Sequence, residues 1–254
     1  MSFQKRRRML VKNLGGKVLW KFEQYIAKNS LIGDSTFFDA REFPWSSELE
    51  TNWKTIRREL DEVLTYREKL PSFQDISKDQ VVITNDEHWK TFFLYGMGYQ
   101  SEPNCARCPE TAKLVERIPG MTTAFFSILS PHKHIPPHRG VFKGFVRYHL
   151  GLKIPDPPNQ CRIRVGQDYG QWEEGKSMFF DDTFEHEVWN DSDDFRVVLF
   201  VDFMRPLRFP AAMVNRALIS TVRHSGFVQD SRKNMASWEQ AFVRKKESAA
   251  EPVH

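Results

Sequence analysis

A series of short segments rich in β-branched and aromatic residues, all between residues 121 and 203, restricts the fold of this chain more than any other feature. The segments are Thr122–Leu129, Gly144–Ile154, Cys161–Val165, Ser177–Phe180, Phe184–Trp189 and Phe195–Phe203. Clusters of Pro, Gly, Asp and Asn separate them, and no helical pattern lies between one segment and the next. Because parallel strands need long, usually helical, crossovers, this spacing predicts an antiparallel sandwich or jelly roll instead of a βαβ sheet.

Helical patterns lie on both sides of the predicted strands. Ser47 and Glu50 have the spacing of a capping box, and apolar residues then recur at steps of three and four. This first stripe consists of Leu49, Trp53, Ile56, Leu60 and Val63. Residues 109–118 are typical of a second, short helix. After Pro206 a further helical stripe consists of Met213, Val214, Ala217, Leu218 and Thr221.

Composition and charge limit the class of protein. Hydrophobic residues make up 40% of the chain, and 21 residues are Phe, which is too much apolar material for a disordered chain. The net charge of +4 is small, and residues 5–8 carry part of it, so the charge does not indicate nucleic-acid binding.

We divide the chain into a basic amphipathic segment (1–45), a jelly-roll domain with leading helices (46–206) and a C-terminal helical extension (207–254).

The first thirty residues are basic, and charged residues interrupt their apolar positions. Because Lys12, Lys17 and Lys21 break up the apolar runs, we expect neither a signal peptide nor a membrane span. The segment has two interpretations: an amphipathic helix docked on the protein's own core, or one lying on an anionic membrane surface. The three cysteines are too few for a disulfide framework and indicate a reducing compartment. We therefore expect a cytoplasmic protein, peripheral to the inner membrane through residues 1–30 under the second interpretation.

Two of the predicted strands carry side chains suited to binding an anion and a metal. In the second segment, Arg147 and His149 share one face because side chains alternate along a strand. Such a cationic face either lines an anion-binding cavity or is an ordinary solvent-facing surface. In the fifth segment His186 is followed by a short acidic loop and then by Arg196. If these two strands are antiparallel neighbours, a metal ligand and a carboxylate-binding arginine lie side by side.

Histidines and cysteines also cluster outside these strands. His132, His134 and His138 lie in a predicted loop that is stiffened by proline, where a local zinc site competes with a chance cluster. Cys105 and Cys108 have a spacing seen in zinc and redox sites, but no second such pair accompanies them. We interpret that pair as a loop with two thiols.

Several uncommon motifs occur in a fixed order between residues 120 and 206. They are Pro137-His-Arg-Gly140, Arg147-Tyr-His-Leu-Gly-Leu152, Trp172-Glu-Glu-Gly175 and Phe180-Asp-Asp-Thr-Phe-Glu-His-Glu-Val-Trp189, followed by Arg196 and Asp202. In this order and spacing the sequence resembles the aspartyl/asparaginyl β-hydroxylase family. Asn52-Trp-Lys54 resembles an upstream element of the family, and Ile118-Pro-Gly120 is similar to the related lipid A 2-hydroxylases.

The resemblance implies both a fold and a chemistry. The family's fold is a double-stranded β-helix, or cupin-like jelly roll, and its members use iron(II), 2-oxoglutarate and dioxygen to hydroxylate carbon. By position, His138 and His186 resemble the iron ligands, and Arg196 resembles the residue that binds the distal carboxylate of 2-oxoglutarate. A guanidinium suits that role because it meets a carboxylate with two parallel hydrogen bonds. Further co-substrate contacts are implied for Ser127, Arg147 and His149.

One departure from the wider superfamily concerns the third iron ligand. The wider superfamily has an acidic iron ligand two residues after the first histidine, and in this chain that position is Gly140. The resemblance implies that a water takes the place of the acid and is held by Asp181 or Asp182. The predicted function is hydroxylation of a carbon in a peptidyl or free amino acid. Two alternatives stay open: a lipid A or acyl-chain 2-hydroxylase at the membrane surface, and a catalytically inactive jelly-roll binding module. The expected partner is accordingly a small-molecule, peptide or lipid substrate.

Overall fold

Two antiparallel sheets pack together in the computed structural model, which describes residues 20–77, 83–140, 142–224 and 226–250. In chain order the strands are β1 (Phe37–Phe38), β2 (Trp89–Gly96), β3 (Tyr99–Gln100), β4 (Met121–Leu129), β5 (His134–His138), β6 (Phe145–Lys153), β7 (Cys161–Val165), β8 (Asp168–Gln171), β9 (Ser177–Phe180), β10 (His186–Asn190) and β11 (Arg196–Met204). The larger sheet has the order β1-β9-β6-β11-β4-β2-β3, and the smaller sheet has the order β5-β10-β7-β8. This mainly β architecture, with helices at both ends, confirms the predicted jelly-roll fold class.

Helices precede, interrupt and follow the strands. They are α1 (residues 20–29), α2 (Ser46–Thr51), α3 (Trp53–Leu64), α4 (Phe73–Ile76), α5 (Glu102–Arg107), α6 (Pro109–Glu116), α7 (Ala211–Arg223) and α8 (Gly226–Ala250). Short 3-10 helices lie at Ala40–Glu42, Arg67–Lys69 and Pro158–Gln160. Within the ranges given above, no helix combines the length and apolar character needed to cross a bilayer.

The leading helices cover the outer face of the larger sheet. On α3, the side chains of Ile56, Leu60 and Val63 are buried at steps of four and three, as the sequence predicts for one helical stripe. They belong to the same apolar cluster as Tyr148 of β6 and Leu199 of β11. Each such buried side chain contributes about 1.5–3 kcal/mol. This packing leaves the opposite face of the sheet to line the interior between the two sheets.

Two expectations about the strands are wrong. The stretch around Pro136 and Pro137, read as a loop, is β5, an edge strand of the smaller sheet, where missing N–H donors are tolerated. The strands that carry His186 and Arg196 are not hydrogen-bonded neighbours, because β10 pairs with β5 and β7, whereas β11 pairs with β4 and β6. The acidic loop between them therefore crosses from one sheet to the other.

The amphipathic N-terminal prediction falls only partly on the described chain, since residues 1–19 lie outside it. In α1 the side chain of Ile26 is buried and packs against Leu207 and Ala211, so this part of the segment docks on the protein's own core. The division into three domains stays a prediction.

Candidate active site

His138 and His186 face each other across the smaller sheet. They are the last residue of β5 and the first residue of β10, and they are directly opposed in the strand register. Directly opposed residues of antiparallel strands point to the same face. Their ring centroids are 4.1 Å apart, with the ring planes inclined at 51°. The two imidazoles are therefore close enough to bind one metal ion.

Hydrogen bonds fix the tautomers of both imidazoles. Nδ1 of His138 lies 2.8 Å from the carbonyl oxygen of Pro136, and Nδ1 of His186 lies 3.0 Å from that of Phe184. Because a carbonyl oxygen only accepts, each Nδ1 carries the proton and each Nε2 keeps its lone pair. Burial lowers the pKa of His138, and burial together with His138 and Arg147 lowers the pKa of His186 to about 3. Both imidazoles are thus neutral near pH 7, in the form that binds a metal.

Arg196 places a buried positive charge in the interior. Its side chain is 2% exposed, and its guanidinium carbon lies 4.5 Å from the ring centroid of Trp172. Burial lowers its pKa to about 10, so the group stays charged at neutral pH. Its Nε and Nη1 atoms are buried without a hydrogen-bond partner in the described chain. A buried charge left unpaired in this way destabilises the protein by several kcal/mol, so an anionic ligand that accepts from these donors would be strongly favoured here.

His149 supplies a second buried donor on the same face of the larger sheet. The indole nitrogen of Trp172 donates to Nδ1 of His149 over 3.2 Å, which leaves the His149 proton on Nε2. That Nε2 is buried, and the described residues offer it no hydrogen-bond partner. Burial, Arg196, Arg147 and His186 lower the pKa of His149 well below its ordinary value, so the imidazole is neutral. Arg196 lies over the ring of Trp172, which bonds His149, and the ring of Phe180 contacts both His149 and His186.

Ser127 completes a group of three donors. It lies on β4 directly opposite Val198, two positions along the ladder from the pair Arg196 and Leu129, and so shares the face of Arg196. The indole nitrogen of Trp89 donates to the Ser127 hydroxyl oxygen over 3.0 Å, which leaves the hydroxyl proton for another acceptor. The guanidinium, the imidazole N–H and the hydroxyl together form a pocket suited to a carboxylate.

Asp182 lies beside Gly140, the position at which the wider superfamily has an acidic residue. A Cβ added at Gly140 would lie 2.2 Å from the Asp182 carboxylate, so that carboxylate occupies the space a side chain at position 140 would need. The Gly140 N–H also donates to the Asp182 carbonyl oxygen over 2.7 Å. Asp181 is directed elsewhere and forms ion pairs with Lys143 and Arg205. Of the two aspartates considered from the sequence, Asp182 is therefore the one next to Gly140.

Arg147 is held by two carboxylates. Its Nη2 lies 2.9 Å from Asp182 Oδ2, and its Nε donates to Asp202 Oδ1 over 2.9 Å. Burial, assisted by Asp202 and Asp181, raises the pKa of Asp182 to about 6 despite the opposing charge of Arg147. These contacts suit a residue that positions Asp182. The predicted contact of Arg147 with 2-oxoglutarate stays a prediction.

The site residues fit iron(II) and 2-oxoglutarate on these observations. The histidine pair offers two unprotonated nitrogens, and the partnerless donors of Arg196 and His149 fit a dicarboxylate. No group of three His, Cys, Asp or Glu suited to a metal occurs in the described ranges. The assignments of His138, His186, Arg196, Ser127 and His149 remain predictions that this geometry accommodates.

A sequence model described as Aspartyl/Asparaginyl beta-hydroxylase matches residues 50–206, which is more than half of the chain. The chain belongs to this family. Within the family it is 45% identical over 231 residues to the ornithine lipid ester-linked acyl 2-hydroxylase of Rhizobium tropici, covering 91% of this chain and 82% of that one. It is 37% identical over 163 residues to the human aspartyl/asparaginyl beta-hydroxylase, covering 62% of this chain and 21% of that one. These β-hydroxylase relatives support a hydroxylase function.

More distant family relatives and solved structures match over shorter stretches. The human aspartate beta-hydroxylase domain-containing protein 2 is 33% identical over 170 residues, covering 62% of this chain and 44% of that one. The chain thus spans about a fifth of the human β-hydroxylase and less than half of this second human protein. A cupin domain of an Enterobacter cloacae transcriptional regulator covers 46% of this chain and 96% of its own, at 10% identity and a TM-score of 0.32.

An apolar cavity lies beside the site of this β-hydroxylase family member. Its volume is about 420 Å³, and its charged lining residues are Arg147, Asp182, Asp202 and Arg232. The apolar lining includes Phe73, Ile76, Phe93, Phe125, Phe200 and Met235. Phe125 and Phe200 stack at 4.2 Å between ring centroids, and the ring of Phe200 also lies 5.0 Å from that of His149, so the cavity adjoins the three donors.

The histidine cluster and the cysteine pair noted in the sequence do not form metal sites among the described residues of this β-hydroxylase family member. His134 pairs with Glu187 over 3.1 Å and stacks on Trp189, while His132 pairs with Asp193. Between the pairs His186–His138 and Val188–Ile135, strand β5 has one extra residue, so His134 lies on the opposite face of the sheet from His138 and the local zinc site is wrong. Cys105 lies in α5 and Cys108 caps it, so the reading as a loop is also wrong. Both thiols are free, and burial raises the pKa of each.

Sequence reasoning missed the residues that orient the predicted ligands. Trp172 and Trp89 fix the hydrogen bonding of His149 and Ser127, yet the sequence marks Trp172 only as part of a family motif. Asn190, at the end of β10, is fully buried, and its amide nitrogen donates to the carbonyl oxygens of Leu129, Ser130 and Asp194. These bonds hold the loop that carries the chain from His186 to Arg196. Their only sequence signal is an asparagine at a predicted strand end.

Proposed function

We propose that this protein is an iron(II)- and 2-oxoglutarate-dependent hydroxylase that acts on the acyl chain of a lipid. The observation that carries the proposal is the buried guanidinium of Arg196, whose Nε and Nη1 have no hydrogen-bond partner among the described residues. It lies in the same interior between the two sheets as the neutral histidine pair. A catalytically inactive binding module has no need for two imidazoles that both present Nε2 at this place.

His138 and His186 would hold the metal through their Nε2 atoms. The carbonyl oxygens of Pro136 and Phe184 keep Nδ1 protonated and so fix the direction of each lone pair. When bound, iron(II) with 2-oxoglutarate supplies the activation of dioxygen for C–H hydroxylation. Asp182, beside Gly140, would supply a carboxylate that can accept a hydrogen bond from a water bound to the metal.

Arg196, His149 and Ser127 would bind 2-oxoglutarate. Arg196 offers Nε and Nη1 to one carboxylate, and His149 Nε2–H and the Ser127 hydroxyl offer further donors. Because these donors are fixed by Trp172 and Trp89 before any ligand binds, little entropy is lost in orienting the co-substrate. The main work of this pocket is to position the co-substrate.

The apolar cavity favours an acyl chain over an amino acid as the substrate. Its walls are mostly aromatic and aliphatic, and its buried cation Arg147 is already paired with Asp182 and Asp202. A charged amino acid would leave polar groups unpaired there, whereas an acyl chain would replace water against apolar walls. The acyl 2-hydroxylase named among the relatives supports the same choice.

The test is to incubate the purified protein with iron(II), 2-oxoglutarate and dioxygen, offering a diacylated ornithine lipid and an aspartate-containing peptide in separate reactions. We expect a product heavier by one oxygen from the lipid acyl chain, with succinate formed in step, and no product from His186→Ala. Oxidation of the peptide and not of the lipid would overturn the substrate class. The absence of succinate with both would support the binding module instead.

A further inference from the structure

Helix α7 buries only a narrow stripe of its surface. The buried side chains are Ala211, Asn215 and Ile219, spaced by four residues. The exposed apolar residues on and next to this helix, here called the α7 face, are Phe209, Met213, Val214, Ala217, Leu218 and Val222. Met213 is 63% exposed and Phe209 is 79% exposed. The helical stripe found in the sequence therefore points largely away from the core, which is the reverse of the usual arrangement in a water-facing helix.

Positive charge borders the α7 face. At 100° per residue, Arg216 lies on the other side of the buried stripe from Val214 and Leu218, and Arg208 precedes the helix. The sequence has no Asp or Glu between Phe203 and Gln229. An apolar helix face bordered by arginines is typical of helices that lie in the interface of an anionic bilayer.

The α7 face is continuous with the candidate substrate cavity. Val222, which belongs to this face, also lines the cavity. The neighbouring Arg223 donates from Nε to the carbonyl oxygen of Met97 over 3.2 Å, and Met97 is another lining residue. Asn215 donates to the Gly144 carbonyl oxygen over 2.9 Å, next to the lining residue Phe145. The helix is thus attached to two walls of the cavity.

Helix α1 adds interfacial aromatic groups beside the start of α7. Its Ile26 packs against Ala211, which places α1 next to the first turn of α7. Trp20 and Tyr25 of α1 are exposed. Indole and phenol side chains favour the boundary between headgroups and acyl chains because each has an apolar ring and a polar atom.

We propose that the α7 face docks the protein on a bilayer that contains anionic phospholipid, and that an acyl chain passes from this bilayer into the cavity. The docking surface is argued from the exposed residues and charges of α7, the residues just before it and α1, whereas the passage of substrate rests on the proposed function. The apolar side chains enter the boundary region, and Arg208 and Arg216 contact phosphate groups beside it. A second copy of this chain is the competing occupant of the same face.

The test is vesicle flotation of the full-length protein, with vesicles of phosphatidylcholine alone or mixed with phosphatidylglycerol. We expect binding to the mixed vesicles and a reduction on the order of tenfold in the partition coefficient for the double variant Met213→Glu, Leu218→Glu. Tyr169→Glu, which charges a similarly exposed aromatic side chain on β8, is the matched control and should bind as the parent protein does. Unchanged binding by the double variant, or no binding by the parent protein, overturns the proposal.

Two further measurements separate the competing outcomes. Sedimentation analysis without lipid should give the same mass for the parent protein and the double variant. A parent dimer that the variant converts to a monomer would assign the α7 face to a second copy and overturn membrane docking. Turnover of a lipid dispersed in detergent should persist in the variant, because the candidate active site is untouched. If that turnover is absent in the parent protein as well, the proposed function fails while the vesicle result still decides the docking surface.

Discussion

The indole nitrogen of Trp172 donates to Nδ1 of His149 over 3.2 Å, and this bond decides which nitrogen of His149 carries the proton. It directs the Nε2 proton into the interior, where the guanidinium of Arg196 also lies over the Trp172 ring. One tryptophan therefore orients two of the donors proposed to bind 2-oxoglutarate.

Trp172→Phe should weaken 2-oxoglutarate binding with little effect on the rate at saturation. The phenyl ring keeps most of the packing, but the His149 tautomer is no longer fixed, so we expect the KM for 2-oxoglutarate to rise about tenfold. Steady-state kinetics with varied 2-oxoglutarate measures this. Trp189→Phe, which alters an indole stacked on His134 on the outer face, serves as the control. Equal KM values for the parent protein and Trp172→Phe would contradict the assigned role.

Arg196→Leu should lose co-substrate binding while keeping or gaining stability. Removing the charge-assisted bonds should weaken 2-oxoglutarate binding on the order of 100-fold. In ligand-free protein the same change removes a buried charge with partnerless donors, so the free energy of unfolding should stay equal or rise by about 1–4 kcal/mol. Calorimetric binding and urea unfolding measure the two effects. Arg164→Leu, on an arginine already paired with Glu187, should leave 2-oxoglutarate binding unchanged. A strongly destabilised Arg196→Leu variant would argue for a structural role.

The metal-free protein should become less stable in acid because its buried imidazoles are neutral. Burial lowers the pKa of His186 from 6.5 to about 3 and also lowers the pKa of His149. Between these values the unfolded chain binds more protons than the folded chain, so the free energy of unfolding falls as the pH drops from 6.5 towards 3. His186→Asn should make this dependence shallower in urea unfolding across that range. The same slope in parent protein and variant would show that His186 is protonated normally in the folded state.

Gly140→Ala should destabilise the protein through a collision with Asp182. The added Cβ would lie 2.2 Å from the Asp182 carboxylate, which Arg147 holds in place, so we expect a loss of about 1–3 kcal/mol. Thermal unfolding measures the loss. Gly226→Ala meets no atom within 4 Å and is the matched control. The double variant Gly140→Ala, Asp182→Ala should recover much of the lost stability, and failure to recover would place the strain elsewhere.

The strand pattern and the order of motifs were sufficient to predict the fold class and to single out the histidine pair. A nearly continuous β-branched and aromatic run such as Phe195–Phe203 corresponds closely to β11, because a short apolar run bounded by turn residues is typical of a strand buried on both faces. β5 could not be predicted in the same way, since Pro136 and Pro137 are typical of loops and become strand residues only at a sheet edge.

The orientation of the site residues could not be predicted from the sequence, because it depends on contacts between distant residues. Which nitrogen of His149 is protonated depends on Trp172, which is 23 residues away in sequence. The approach of Asp182 to Gly140 likewise depends on the pairing of β10 with β5 and on the ion pair with Arg147. A local pattern contains no information on such contacts, because they are made by the packing of separate strands.

The most direct measurement is anaerobic titration of the protein with iron(II) in the presence of 2-oxoglutarate, monitored by visible absorption. We expect a weak band that saturates at one iron per chain and that is lost in His138→Ala and in His186→Ala. In Arg196→Leu the band should require much more 2-oxoglutarate. A band of unchanged strength in both histidine variants, or no band in the parent protein, would contradict the proposed iron site.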